Sequence, residues 1–265
     1  MNAPADPIWQ ALRADATQLA HAEPVLARLL RAVILDQPSL EAALAELLAH
    51  KLASAELPVD DLRTLVRDAL QAEPQIGQLA RADLAAISER DPAAGSSVNP
   101  VLNHKGFHAL QTHRIAHWYW GRNRRALAQC LQGRASEVFA VDIHPAAVVG
   151  AGVFIDHATG VVIGETAVVG DNVSILQGVT LGGTGKETGD RHPKIGRGVL
   201  LSAGAKVLGN IRVGDGAKVG AGSVVLDEVP PHKTVVGVPA RVVGTPRADQ
   251  PALDMDQHID LDGGG

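Results

Sequence analysis

Between residues 143 and 225, aliphatic side chains recur every six positions: Ile143, Val149 and Ile155, then Ile163, Val169, Ile175 and Leu181, then Ile195, Leu201, Val207, Val213, Val219 and Val225. Six residues advance an α-helix by about 600°, roughly 240° out of phase, so no helix can hold this set on one face. Each hexad reads instead as a short strand and a corner. The aliphatic points inward, and the next position often takes glycine (Gly150, Gly164, Gly170, Gly196, Gly214, Gly220), where torsions or crowding are demanding. Small residues fill the fifth position, among them Val153, Ala167, Val173, Ala205, Ala217 and Ser223. The 13 hexads predict a solenoid of roughly four coils around one aliphatic column.

The front of the chain has another character. Of the 28 glycines, 20 lie between Val141 and Gly244. Residues 1 to about 90 are rich in Ala, Leu, Arg, Asp and Glu, with apolar positions three and four apart in LARLLRAVILD and SLEAALAELLAHKL. Five or so short helices follow, with starts near Pro24 and at Pro38-Ser39. After a break at RDPAAGSSVNP (90–100), GFHALQTHRIAHWYW and NRRALAQCLQGRASEVF read as helices, and Trp118, Tyr119 and Trp120 read as core or interface packing. The expected fold class is therefore an α + β-solenoid: an all-α helical domain over 1–140, a β-helix over 141–244, and a flexible tail over 245–265. A solenoid needs its ends covered, which gives the helical front a capping role.

Composition narrows the partners. With 24 Lys+Arg against 29 Asp+Glu and a net charge of −5, no polybasic face points to nucleic acid or anionic lipid. No apolar run reaches a membrane span, and the first residues lack the order of a signal peptide. The lone Cys130 can build neither a disulfide framework nor a thiolate metal cage. A cytoplasmic location is expected.

Two faults break the repeat. The step from Ile155 to Ile163 is eight residues and that from Leu181 to Ile195 is fourteen, so HATG must bulge and GGTGKETGDRHPK must leave the coil. Loops on a rigid scaffold are where chemistry tends to sit. The first fault carries Asp156-His157, preceded by Asp142-Ile143-His144-Pro145; the second ends in Asp190-Arg191-His192-Pro193. Histidine suits general base catalysis near neutral pH, a carboxylate can orient it, and arginine offers a planar fork for a carboxylate.

The runs RDPA (90–93), KGFHALQTHRIAHW (105–118), VDIHPAA (141–147), DHATGVVIGETAVVGDNVSILQGVTLGGTGK (156–186), GDRHPKIG (189–196), GAKVLGNIRVG (204–214) and GVPARVVG (237–244) together resemble the serine O-acetyltransferases, hexapeptide acyltransferases with a left-handed parallel β-helix. The resemblance implies acetyl transfer from acetyl-CoA, as co-substrate, to the hydroxyl of L-serine, with no permanently bound cofactor and no metal. It implies His157 as general base, oriented by Asp142. Asp91 and Asp156 match the family's ligands for the amino group, and Arg191 and His192 its ligands for the carboxylate. Gly183, Ala203 and Ala221 match coenzyme positions, with Lys218 a candidate for CoA phosphate oxygens.

Cysteine differs from serine by sulfur for oxygen, so competitive feedback inhibition by L-cysteine is implied, as is assembly into homotrimers or a hexameric dimer of trimers. Many members end in an isoleucine that inserts into O-acetylserine sulfhydrylase. Here MDQH (255–258) is recognisable but the chain finishes LDGGG, which argues against that complex. Three other readings stay open on the residues themselves: a CoA-dependent O-acetyltransferase acting on a sugar or another hydroxy amino acid, a β-helical zinc carbonic anhydrase using His144, His157 and His192 from neighbouring chains, and a non-catalytic scaffold.

Overall fold

The structure, a computed structural model, describes residues 6–185 and 188–259. The LDGGG end (261–265), on which the sulfhydrylase expectation rests, lies outside them, as do Lys186 and Glu187 of the second fault. The described residues form two compact units that divide at His104 and Lys105.

The first unit is helical: α1 (Pro7–Ala22), α2 (Ala27–Leu30), α3 (Leu40–Leu52), α4 (Val59–Ala72), α5 (Pro74–Arg90) and α6 (Val98–Asn103). Asp6 caps α1, accepting the Trp9 N–H at 3.1 Å, and Pro7 fills the first helical position, where a missing N–H costs nothing. Ser39 caps α3 through the Ala42 N–H, as the Pro38-Ser39 signal predicts. Leu12, Leu30, Ile34, Leu44, Leu48, Leu62 and Ile87 are buried in its core. Arg81 ties three helices together by donating to Glu41 and to Asp6, each at 2.6 Å.

The second unit opens with α7 (Lys105–Gly121) and α8 (Arg125–Phe139), which pack on one another and on the first strands of the coils. The compact boundary therefore falls at 104/105 and not at residue 140, where helix gives way to strand. Gly106 explains how closely α7 approaches: a Cβ there would stand 2.0 Å from the Ile155 carbonyl oxygen. Of the aromatic run expected to pack in a core or interface, Tyr119 is buried, whereas Trp118 and Trp120 are half-buried.

Fifteen strands follow among the described residues: β1 (Val141–Ile143), β2 (Val148–Val149), β3 (Phe154–Ile155), β4 (Val161–Ile163), β5 (Val168–Val169), β6 (Ser174–Ile175), β7 (Thr180–Gly182), β8 (Lys194–Ile195), β9 (Leu200–Leu201), β10 (Lys206–Leu208), β11 (Arg212–Val213), β12 (Lys218–Val219), β13 (Val224–Val225), β14 (Thr234–Gly237) and β15 (Ala240–Gly244). They form three sheets, β1-β4-β7-β10-β13, β2-β5-β8-β11 and β3-β6-β9-β12-β14-β15, parallel except for the final β14-β15 pair. The register stacks the hexad aliphatics in three columns: Ile143, Ile163, Leu181, Val207 and Val225; Val149, Val169, Ile195, Val213 and Val229; Ile155, Ile175, Leu201, Val219 and Val235. All but Val149 are buried.

There are thus five coils where the repeat predicts roughly four. Val229 follows Val225 after four residues, outside the six-residue step, and with Val235 it completes the last coil. Residues 245–259, expected to be flexible, are held against the third sheet. A short α9 (Pro251–Asp254) sits there, the Ser174 hydroxyl donates to the Ala252 carbonyl at 2.8 Å, and the Ala252 N–H donates to Gly198 at 3.3 Å.

His113, on α7, is buried with Nδ1 unpartnered. Burial holds its pKa well below the ordinary histidine value, and the neighbouring charges of His117 and Arg114 push the same way. The unfolded chain takes up this proton near pH 6.5, the folded chain only at much lower pH. Between those limits the unfolded state binds more protons, so stability is fully present above about pH 6.5 and falls below it, by up to about 1.4 kcal/mol per pH unit for each such proton. Urea unfolding at pH 7.5 and 5.5 checks this: the expected result is a lower midpoint at pH 5.5 and a smaller difference in His113→Gln.

Candidate active site

The three sheets meet at three corners, and the two faults lie on different ones. Residues 156–160 turn from the third sheet into the first, whereas residues 183–193 link the first sheet to the second. At the former, His157 (φ 55°) and Ala158 (φ 63°) are left-handed, a conformation uncommon for residues with a Cβ and characteristic of constrained functional turns. The Gly160 N–H donates to the Ala140 carbonyl at 2.7 Å, and the Lys105 ammonium donates to the Thr159 hydroxyl, pinning the turn at both sides. The His157 side chain is 72% exposed, with Nε2 3.6 Å from Asp156 Oδ2. An imidazole presented in this way can take a proton from a bound hydroxyl.

The expected Asp142–His157 pair is absent among the described hydrogen bonds and ion pairs. Asp142 projects from β1 in register with Val162, and its Oδ1 accepts the Gln132 Nε2–H at 2.6 Å; the carboxylate recorded beside His157 is Asp156. Asp91 belongs to the helical unit, at the C-terminal end of α5. It accepts the Ala93 N–H at 2.8 Å and faces His104 Nε2 at 3.7 Å.

The second corner is tightly organised. Arg191 donates from Nη2 to Glu165 at 2.7 Å. His192 is 7% exposed, and its ring packs against Gly164, where a Cβ would come within 2.0 Å of Cδ2 and 2.1 Å of Nε2. Thr166 Oγ1 accepts the N–H groups of Arg191 at 3.0 Å and His192 at 3.1 Å, and lies 2.9 Å from His192 Nδ1. Lys194 closes the segment, donating to the Thr166 carbonyl at 2.8 Å and to Asp190 at 2.5 Å. His144 stands near the same corner, its ring edge-on to Trp120 at 5.0 Å and its Nδ1 accepting the Ala146 N–H at 3.1 Å.

Electrostatics follow from this packing. Burial lowers the pKa of His192, and the Arg191 charge adds to the effect; burial also lowers that of His144, against the opposing pull of Glu165 and Asp142. The Arg191 hydrogen bond holds the Glu165 carboxyl below the usual carboxylate range. A neutral His192 beside a permanent guanidinium offers two kinds of donor to a small carboxylate.

The coenzyme candidates divide. Ala203 and Ala221 occupy equivalent places one coil apart, with the Gly222 N–H donating to Ala203 and the Gly204 N–H to Gln177, on the same corner as His157. Gly183 is at the other corner, where an added Cβ would come into ordinary contact with the Arg191 stem and carbonyl. Lys218 is 4% exposed, and its ammonium donates to the His258 carbonyl where residues 256–259 pass over β12.

Motif reasoning gave no role to Gly164, Glu165, Thr166 or Gln132. Gly164 had a signal, as one of the glycines that follow an aliphatic. Thr166 had none, since a threonine two residues after such a glycine looks like any corner residue.

Comparison with known proteins bears on both units. The serine acetyltransferase N-terminal family matches residues 8–112, and the bacterial transferase hexapeptide family (six repeats) matches residues 192–227. The serine acetyltransferase of Salmonella typhimurium is 55% identical over 252 residues, covering 95% of this chain and 92% of that protein. A solved serine acetyltransferase in complex with cysteine superposes with a TM-score of 0.94 at 51% identity, covering 96% of this chain and 98% of the other. The Brucella abortus serine acetyltransferase in complex with coenzyme A gives 0.89 at 54% identity, covering 91% and 96%. A helical front, a hexapeptide β-helix interrupted at two corners, and this degree of identity across nearly the whole chain establish that the protein belongs to the serine acetyltransferase family.

Proposed function

We propose that this chain transfers the acetyl group of acetyl-CoA to the hydroxyl of L-serine, giving O-acetyl-L-serine and free CoA. His157 takes the hydroxyl proton as the serine oxygen attacks the thioester carbonyl carbon. The tetrahedral intermediate collapses with cleavage of the carbon–sulfur bond, and the imidazolium returns the proton to the departing thiolate. No acyl-enzyme is formed. Asp156 and Asp91 receive the ammonium of serine, and Arg191 and His192 its carboxylate. Asp142, which accepts from Gln132 and does not touch His157 in this structure, pairs with the imidazole and steadies it once the substrates are bound. The coenzyme arm runs along the corner of Ala203 and Ala221, with Gly183 at the other side of the reacting centre. L-Cysteine occupies the serine position and inhibits competitively. Among the described residues no helix is long and apolar enough to cross a membrane, in keeping with a cytoplasmic enzyme.

The observation that carries this reading is the division of the two faults between corners: an exposed imidazole on one, a braced guanidinium and imidazole on another. Such halves form one pocket only when the His157 corner of one copy meets the Arg191 corner of the next, which is the proposed role of the homotrimer, alone or paired as a hexamer. A thiol-release assay tests the activity. CoA should appear with acetyl-CoA and L-serine, far less with homoserine or simple sugars, and L-cysteine should suppress it competitively; absence of serine-dependent release rejects the function. Mixing tests the shared site. His157→Ala and Arg191→Ala chains, the latter reduced about tenfold or more in kcat/KM for serine by the lost charged contact, should regain about a quarter of wild-type sites when co-assembled 1:1, by random pairing across seams.

A further inference from the structure

Thr166 binds the second corner together in a way its place in the repeat does not require. Its hydroxyl accepts the N–H groups of Arg191 and His192, at 3.0 and 3.1 Å, across 25 and 26 residues of sequence. A hydroxyl has two lone pairs and one proton, so with both lone pairs occupied its proton is left to donate. His192 Nδ1 lies 2.9 Å away, and the Asp190 carboxylate is the competing acceptor. The Thr166 backbone N–H, which can only donate, also reaches Nδ1 at 3.2 Å. Nδ1 is therefore an acceptor whichever way the hydroxyl turns, and the neutral ring carries its proton on Nε2.

We infer that Thr166 is a positioning residue, which sets the His192 tautomer and holds the 191–192 backbone so that the Nε2–H and the guanidinium form one carboxylate-binding unit. The inference rests on the reading of Arg191 and His192 as ligands of the serine carboxylate. A threonine that merely filled a corner would affect folding or every kinetic constant alike. One that acts through His192 and Arg191 affects serine binding and leaves the coenzyme alone.

Thr166→Val keeps the side-chain shape and removes the hydroxyl; Thr166→Ser retains it. In steady-state assays the Val variant should raise the KM for L-serine about tenfold, from the loss of two or three hydrogen bonds, with kcat and the KM for acetyl-CoA within about twofold of wild type. The Ser variant should return the serine KM to within about twofold. His192→Ala and Arg191→Ala are the reference variants. If either raises the serine KM while Thr166→Val does not, the positioning role is overturned and the carboxylate reading stands. If neither raises it, the carboxylate reading itself falls. A Val variant that lowers Tm and kcat and raises both KM values together would assign Thr166 a purely structural role and overturn the inference.

Discussion

His157→Ala should lose about a hundredfold or more in kcat while keeping its Tm. The magnitude is that of a general base removed from a direct transfer, typically about 10²–10⁴. The preserved stability follows from position: the imidazole is 72% exposed and buries little. Removing an exposed side chain opens no cavity, and alanine already occupies the equally left-handed position 158 in the same turn. Serine and acetyl-CoA should still bind, so both KM values should change little. Steady-state kinetics of the purified variant beside a thermal melt check the pair of outcomes, and near-wild-type turnover would remove His157 from the mechanism.

The second large effect is expected at a residue that touches no substrate. Gly164→Ala would place a Cβ 2.0 Å from His192 Cδ2, and no real contact is that short. The ring cannot swing aside cheaply. It is 7% exposed, and its Nδ1 and backbone are tied to Thr166. Either the corner shifts or the hydrogen bonds break. The expected cost is about 1–3 kcal/mol of stability, as for other overpacked cores, together with a drop of about thirtyfold or more in kcat/KM for serine as His192 and Arg191 lose their placement. The coenzyme KM should rise less than the serine KM, because two of the three small coenzyme candidates, Ala203 and Ala221, lie on another corner and only Gly183 lies beside Arg191. Urea unfolding and initial rates at limiting serine read the two effects separately.

Much of this architecture was legible in the sequence. The period of six identified 13 of the 15 stacked positions, since an inward aliphatic at a fixed step is the direct requirement of a coil with a filled interior. Val229 and Val235 escaped because the last coil takes a shorter path after Val225, and a rule based on spacing is blind where the spacing changes. The end of the first compact unit was missed for a related reason: helices α7 and α8 look like their predecessors in composition, but Gly106 and their packing partners attach them to the coils. Register faults located His157, Arg191 and His192, because a loop that leaves a regular scaffold must be written as extra residues. What surrounds those residues was not written that way. The cover over Lys218 comes from a segment 40 residues further on, the Gln132 contact of Asp142 comes from a helix, and Thr166 depends on a hydroxyl's choice among partners a whole coil away.

Parallel strands usually join distant parts of a chain and fold slowly for that reason. In these sheets the parallel partners are separated by only 16 residues at Val219 and Val235 and by 26 at Ile175 and Leu201. Contact order within the ladder is therefore low, and the entropy of closing each loop is modest. Each winding can zip onto its predecessor soon after it is synthesised, so a growing polypeptide never has to wait for its far end before the interior begins to dry.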